Sequence, residues 1–198
     1  MNRDALEAEL SQLLGRRDFG ASATLAMEAY GSEIFSFIVA LHDNQGDAAE
    51  VFSVFSERLW KGLPQFAGRS SLRTWAYTIA RNASLTFREQ RANKREELVT
   101  NSAFEDTVAR VRTSTWSQLR REALDRFQQL RATLPAEDQM LLILRVEREL
   151  EWKDLARMMA SDDSLEGEPL RRETARLRKR FQLIKERLRA EAAAQGVA

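Results

Sequence analysis

The stretch that most constrains the fold is residues 60–81, WKGLPQFAGRSSLRTWAYTIAR, because it ends one helical pattern and begins another. The loop between the two patterns holds Pro64, Gly68 and Ser70. A serine hydroxyl just before a helix can accept a hydrogen bond from a first-turn amide that has no helical partner, so we predict Ser70 as the N-cap. The apolar residues that follow recur at helical spacing and predict the buried face of the second helix: Leu72, Ala76, Ile79, Ala83 and Phe87.

The other side of this second helix carries polar and aromatic residues. They are Thr74, Tyr77, Thr78, Arg81, Ser84 and Arg88, with Trp75 and Asn82 on a flank. Flat rings can stack on bases, amides can bind base edges and guanidinium groups can neutralise phosphates, which is the combination that single-stranded DNA requires. An ordinary capped amphipathic helix with Trp75 in its core would carry the same residues. The chemistry alone leaves both interpretations open.

Residues 66–75, FAGRSSLRTW, followed by Ala80, Arg81 and Asn82, resemble the promoter-melting segment of sigma factors of bacterial RNA polymerase. The resemblance is closest to the small extracytoplasmic-function (ECF) group, which keeps only the second and fourth sigma domains. It implies that the loop 64–70 pockets an extruded base of the minus-ten promoter element. It assigns the minus-ten DNA contacts to Phe66, Arg69, Ser70, Arg73, Trp75, Tyr77, Arg81 and Asn82.

The helix before this loop, residues 47–60, has a dense apolar pattern with acidic residues on its polar side. In the family that it resembles, this helix docks on a coiled coil of the polymerase β′ subunit. The resemblance therefore assigns core polymerase binding to Asp47, Glu50, Val51, Ser53, Val54 and Glu57. Ser53 and Val54 stand where the family usually has Gln-Glu. Packing of this helix within its own bundle is the alternative.

The C-terminal part of the chain predicts a helix-turn-helix. A helix at residues 152–159 and an acidic turn at 161–168 precede a final helix, which has Pro169 at a first helical position. Residues 171–189 of that helix hold nine basic side chains against Glu173 and Glu186. Its apolar stripe consists of Leu170, Thr174, Leu177, Phe181, Ile184 and Leu188. The second helix of such a motif fits the major groove of DNA.

This motif resembles the fourth sigma domain, through residues 134–138 and 152–156 and the apolar register of the final helix. The resemblance assigns contacts with the minus-thirty-five element to Arg172, Arg176, Arg178, Lys179 and Gln182. The turn at 161–168 is several residues longer than the tight turn of the family. Between the two resembling parts, residues 92–116 lose strong periodicity, apart from a weak helical piece at 104–111. We interpret them as a linker, which in the family lies in the RNA exit path of the polymerase.

Composition excludes several classes of function. The chain has no cysteine, so disulfides, thiolate metal sites and cysteine catalysis are excluded. We find no paired-carboxylate site, Gly-rich phosphate loop or metal-ligand cluster. The sequence therefore predicts no catalytic residue, no cofactor and no metal, and the protein is not expected to be an enzyme.

Nothing in the sequence points to a membrane or to secretion. It has no apolar run of 18 residues, and its N-terminal residues, MNRDALEAELSQLL, carry acids and lack a cleavage site of small residues. We expect a cytoplasmic protein without a membrane partner.

The predicted fold class is all-α, with two small helical domains joined by a linker, since only 3 of the 198 residues are proline and 8 are glycine. We assign residues 1–21 to an N-terminal helical extension, 22–95 to sigma domain two, 96–116 to the linker and 117–195 to sigma domain four. The resemblance implies an ECF-type sigma factor that binds the β′ and β subunits of core RNA polymerase, recognises both promoter elements and assists melting. We expect a monomer when free, and an anti-sigma factor stays open as a further partner.

Two other functions fit the residues. One is a helix-turn-helix regulator that binds duplex DNA without polymerase, and the other is a non-catalytic helical interaction protein whose basic stretches are solvated faces.

Overall fold

The computed structural model describes residues 3–42, 45–90, 106–112 and 131–194. These residues are helices and short connections, with no strand among them, which confirms the all-α prediction. The chain divides into two compact units, residues 1–121 and 122–198. The finer division into extension, sigma domains and linker stays a prediction.

The first unit is a bundle built around one long apolar helix. In chain order its helices are α1 (Arg3–Gly15), α2 (Phe19–Leu41), α3 (Gln45–Gly62), a 3₁₀ turn (Leu63–Gln65) and α4 (Leu72–Gln90). Helix α2 packs against each of α1, α3 and α4. It begins at the N-cap Asp18, whose side chain accepts a hydrogen bond from the Ala21 amide at 3.0 Å.

Aromatic side chains fill the core of this unit. The Phe35 ring on α2 lies 4.9 Å from the Phe52 ring on α3, and the Phe37 ring meets the Tyr77 ring on α4 edge-on at 5.4 Å. Edge-on and tilted contacts of this kind stabilise a core beyond the area they bury. One central helix thus holds α3 and α4 in place.

Helix α2 bears on the expectation that nothing in the sequence points to a membrane. By length and composition it is apolar enough to cross a membrane, although no uninterrupted apolar run of 18 residues exists. Half of its most apolar window is buried inside the bundle. A core helix that contacts three neighbours needs the same apolar composition, which accounts for its hydropathy.

Residues 106–112 form a helical segment that packs on α2 in the same unit. Thr107 is buried, and Val111 lies over Gly31 of α2. A Cβ atom added at Gly31 would lie 3.0 Å from Val111 Cγ1 and 2.7 Å from Met27 Sδ, so glycine is what permits this close approach. The weak helical piece predicted at 104–111 is thus helical from 106 to 112, and the rest of the predicted linker lies outside the described residues.

The second unit contains α5 (Ala136–Leu142), a π-helical turn (Ile143–Glu147), α6 (Trp152–Ala160) and α7 (Gly167–Ala194). The buried residues of α7 are Leu170, Leu177, Phe181, Ile184 and Leu188, as its apolar spacing predicts. The other predicted member, Thr174, is half-buried. The predicted helix after residue 117 is described only from 131, where Arg131 and Leu134 are buried.

The turn between α6 and α7 has its own internal bonds. Ser161 ends α6 in the left-handed conformation, at a φ of 54°. Asp162 accepts hydrogen bonds from the amide and hydroxyl of Ser164 at 2.9 and 2.6 Å, and Arg157 donates to the Leu165 carbonyl at 3.1 Å. The sequence predicted Pro169 at the first position of this helix. Helix α7 begins at Gly167, so Pro169 is its third residue.

Candidate nucleic-acid interface

The start of α4 determines how the candidate minus-ten surface is arranged. The N-cap is Ser71 and not Ser70, because the Ser71 hydroxyl accepts the Thr74 amide at 3.0 Å. The Ser71 carbonyl accepts the Trp75 amide at 3.1 Å, which is the first bond of the helix. The prediction was wrong by one residue, since two consecutive serines offer the same cap chemistry and only the backbone path selects one.

The first two amides of α4 bind a carboxylate from a distant helix. Glu7 of α1 accepts the Leu72 amide at 2.9 Å through Oε2 and the Arg73 amide at 3.2 Å through Oε1. Its Oε1 also accepts the hydroxyl of Tyr30 on α2 at 2.6 Å. Burial and this hydrogen bond raise the pKa of Tyr30 well above its usual range, so the hydroxyl stays protonated and donating. No pattern in the sequence pointed to a role for Glu7.

Three residues assigned to minus-ten DNA are buried inside the first unit. Tyr77 is fully buried against Phe37, and Arg73 and Arg81 are only 7% and 4% exposed. Arg73 donates two hydrogen bonds to Glu33 of α2, from Nε at 2.6 Å and Nη2 at 2.9 Å. Burial by itself would lower the pKa of Arg73, but the hydrogen bonds and charge of Glu33 outweigh it and raise the pKa.

The predicted buried face of α4 is corrected accordingly. The helix packs against both α2 and α3, so its buried arc is wider than one apolar stripe. The polar side was predicted to include Thr74, Tyr77, Arg81 and Ser84, and all four are buried, whereas Ile79 and Phe87 of the predicted apolar face are half-buried. The sequence did hold a signal, because Arg73, Tyr77, Ala80 and Ser84 also recur at helical spacing, with small residues that allow close packing.

The other five assigned residues lie at or near the surface. Arg69 is exposed, and Phe66, Ser70, Trp75 and Asn82 are half-buried. The Trp75 ring lies 5.0 Å from the Phe66 ring, and it packs on Gly62, where a Cβ atom would come within 3.0 Å of it. Trp75 is therefore neither a core residue nor a freely exposed one: the loop supports it.

The loop itself has one position that requires glycine. Gly68 has a φ of 66°, in the left-handed region that other residues adopt at a cost. Phe66 anchors the other end of the loop through its amide, which donates to the Leu63 carbonyl at 3.1 Å. Beyond Trp75, the outward side of α4 continues through Ile79, Asn82 and Thr86. Only Asn82 of these three was predicted to contact DNA.

The residues assigned to core polymerase differ in their exposure. Glu50 is exposed and Ser53, Val54 and Glu57 are half-buried, and helical spacing places these four on one side of α3. Asp47 is half-buried. Val51 is fully buried and packs in the bundle, which corrects its assignment as a surface contact. Glu57 pairs with Lys61 one turn later.

In the second unit, all five residues assigned to the minus-thirty-five element are exposed on α7. Helical spacing places four of them on one stripe: Arg172, Arg176, Lys179 and Gln182. Arg178 lies on the flank, with its guanidinium 5.7 Å from the centre of the Trp152 ring. Arg145 approaches the same ring at 5.0 Å. The guanidinium groups of Arg145 and Arg178 thus both lie near the Trp152 ring, at the beginning of α6. Neither Arg145 nor α6 was predicted to contact DNA.

Another arginine of α7, Arg180, serves the fold. Arg180 donates to Asp138 at 2.6 Å and to Glu137 at 3.2 Å, both in the first turn of α5. This pairing joins α7 to α5 and turns the positive charge of Arg180 away from the exposed stripe. Within the described ranges, no group of three or more His, Cys, Asp or Glu residues is placed to hold a metal ion.

The burial of Arg81 leads to a stability prediction. We expect Arg81→Ala to destabilise the protein by about 1–3 kcal/mol, because it removes a buried side chain from the bundle, together with its hydrogen bond to Asn82 Oδ1. The matched control is Arg69→Ala, an exposed arginine of the loop, which we expect to change stability by no more than about 0.5 kcal/mol. Urea unfolding of the full chain measures both. Equal stability of the two variants would contradict the buried placement of Arg81.

Comparisons with known proteins found a family and relatives that part of this chain is similar to. Residues 26–94 match the family described as Sigma-70 region 2. Two curated relatives are named "ECF RNA polymerase sigma factor SigG" and come from the Mycobacterium tuberculosis strains CDC 1551 / Oshkosh and ATCC 25618 / H37Rv. Each is 35% identical to this chain over 79 residues, which are 40% of this chain and 20% of the relative. The match thus spans about a fifth of the relatives' own length.

Proposed function

Since residues 26–94 match Sigma-70 region 2 and part of the chain is similar to ECF sigma factors, we propose that this chain is a sigma-70 family protein of the ECF type, which binds core RNA polymerase and directs promoter-specific initiation. The observation that carries the proposal is the loop-supported Trp75, with the Phe66 ring against it and the exposed Arg69 in the same loop, inside the region that matches the family. The activity consists of binding steps, so it requires no catalytic residue and no cofactor. It takes place in the cytoplasm, where polymerase and promoter meet.

Promoter opening requires a base to leave the stack, which costs a few kcal/mol. One or two contacts with aromatic side chains, each worth about 1–3 kcal/mol, can offset that cost. Phe66 and Trp75 supply the rings, Arg69 supplies positive charge for a phosphate, and Ser70 and Asn82 supply hydrogen-bonding groups. The buried Arg73, Tyr77 and Arg81 support this surface from inside and do not contact the base.

Recognition of the minus-thirty-five element falls to α7. Its stripe of Arg172, Arg176, Lys179 and Gln182 suits the major groove, where lysine and arginine bind guanine edges and glutamine binds adenine. Arg178 and Arg145, held beside Trp152, lie on the flank and suit phosphates of the adjacent strand.

Docking on the β′ and β subunits of the polymerase falls to the exposed side of α3. Glu50 and Glu57 give it negative charge, and Ser53 and Val54 lie between them on the same side. A face of this kind complements a basic partner surface.

Run-off transcription tests the proposal as a whole. We expect the protein to direct transcripts from specific promoters only when core polymerase is present, and Glu50→Lys to reduce them by weakening core binding. Glu9→Lys, a reversal on the exposed side of α1, is the matched control and should leave transcription unchanged. Tight binding to duplex DNA without polymerase, and no transcripts with it, would instead favour a helix-turn-helix regulator.

The melting surface has its own test. We expect the double variant Arg69→Ala with Asn82→Ala to keep core binding but to form open complexes on duplex promoters about tenfold less well, a loss equivalent to one base contact. A template already mismatched over the minus-ten element should restore most of the activity, because its strands are open beforehand. Equal losses on both templates would show that these residues only hold DNA.

Arg178 lies on the flank of α7 and Lys179 lies on its exposed stripe, so we expect their substitutions to change DNA binding in different ways. Lys179→Ala should cost about 1–3 kcal/mol and relax sequence preference at one minus-thirty-five position. Arg178→Ala should weaken binding on every sequence alike and make its salt dependence shallower. Holoenzyme binding to a promoter library at several salt concentrations measures both. A reversed pattern would place Arg178, and not Lys179, at the base edges.

A further inference from the structure

Glu7 links α1 to the beginning of α4 across 65 residues of sequence. Both of its oxygens are used, since Oε2 accepts the Leu72 amide and Oε1 accepts the Arg73 amide and the Tyr30 hydroxyl. The carboxylate is thus held by three donors from two other helices. A side chain held in this way has a fixed position, and it fixes the groups that it binds.

The loop 66–71 depends on this carboxylate at one of its ends. At the other end, the Phe66 amide bonds to the nearby Leu63 carbonyl, a contact within the 3₁₀ turn. At the α4 end, Ser71 satisfies one first-turn amide and Glu7 satisfies the two before it. Without Glu7, Leu72 and Arg73 would lose these acceptors, and the helix start would be free to fray.

The negative charge of Glu7 also occupies the end of α4 that would otherwise attract an anion. Helix N-termini bind phosphates because their free amides and the helix dipole favour negative charge. Here a carboxylate of the chain itself already binds these amides, and Glu33 binds the Arg73 guanidinium beside them. The start of α4 is therefore a structural joint, and DNA contacts fall to the loop and the outward face.

We propose that Glu7 is a positioning residue for the minus-ten loop, so that α1 helps to place the residues that select and bind the extruded base. This inference rests on the proposed function, which assigns the loop to the minus-ten element. Glu7 does not touch DNA in this proposal. It acts by fixing where α4 begins, and hence where Ser70, Trp75 and the loop between Phe66 and Ser71 lie.

The chemistry of the joint selects the variants for a test. Glu7→Gln keeps the length of the side chain but replaces one acceptor oxygen with a donor, so one amide loses its partner. Glu7→Ala removes both acceptors. Tyr30→Phe removes one donor and leaves both amide bonds of Glu7 in place. Glu9→Ala, on the same helix and exposed, is the matched control.

Two measurements on the full chain test the proposal. The first is hydrogen exchange of the free protein, in which Glu7→Ala should raise exchange at residues 66–74 by at least about tenfold, as expected for loss of a cap, while α2 and α3 keep their protection. The second is transcription by holoenzyme on promoters with each base at every minus-ten position. Glu7→Ala should flatten the preference at the pocketed base about tenfold and keep the minus-thirty-five preference and core binding. Glu7→Gln should fall between it and wild type, and Tyr30→Phe and Glu9→Ala should resemble wild type.

A merely structural role would give another pattern. If exchange rises across α2, α3 and α4 alike, or if core binding and both promoter preferences fall together, Glu7 only stabilises the bundle and the proposal is overturned. An unchanged minus-ten preference in Glu7→Gln and Glu7→Ala would also overturn it. The exchange measurement needs neither polymerase nor DNA, so a local rise at 66–74 would uphold the positioning of the loop even if wild-type protein gave no transcripts.

Discussion

Three amides in the first turn of α4 need hydrogen-bond acceptors. The groups that accept them fix the position of the candidate DNA surface in the first unit. The neighbouring Ser71 accepts one of these amides, and Glu7, 65 residues before Leu72, accepts the other two. A helix end left without such partners would lose hydrogen bonds that are costly to leave unmade when partly buried. The loop before α4 and the tryptophan after it are therefore fixed by α1 and α2 as well as by their sequence neighbours.

Basic residues divide in the same way in both units. In the first, Arg73 is buried with Glu33, while Arg69, four residues earlier, is exposed. In the second, Arg180 pairs with Asp138, while its neighbour Lys179 is exposed. An arginine fork can satisfy a carboxylate with two directed bonds, so one cation of each basic stretch joins helices. Other cations of α7, such as Arg172 and Arg176, pair with carboxylates of the same helix but stay exposed.

The supporting contacts suit the role proposed for both surfaces, which is to act on DNA without a change of shape. Trp75 rests on Gly62 and Phe66, and Arg178 rests on the ring of Trp152. Side chains that are already held lose less freedom when they bind, so more of the contact energy is available to oppose unstacking. The two candidate DNA surfaces, one in each unit, share this arrangement.

Local patterns in the sequence determined the helices, the loop before α4 and the buried stripe of α7, because helical periodicity, caps and breakers act over a few residues. They also gave a resemblance of residues 66–75 and 80–82 to the promoter-melting segment of sigma factors, from which the melting role is proposed. Only the tertiary structure decided which side of α4 is buried, since two neighbouring helices cover it and bury Tyr77 and Arg81. It alone decided the partner of the first-turn amides, because Glu7 is 65 residues away and no local pattern connects it to Leu72. Contacts between distant residues depend on how the helices pack, and that information is not carried by the spacing within any one of them.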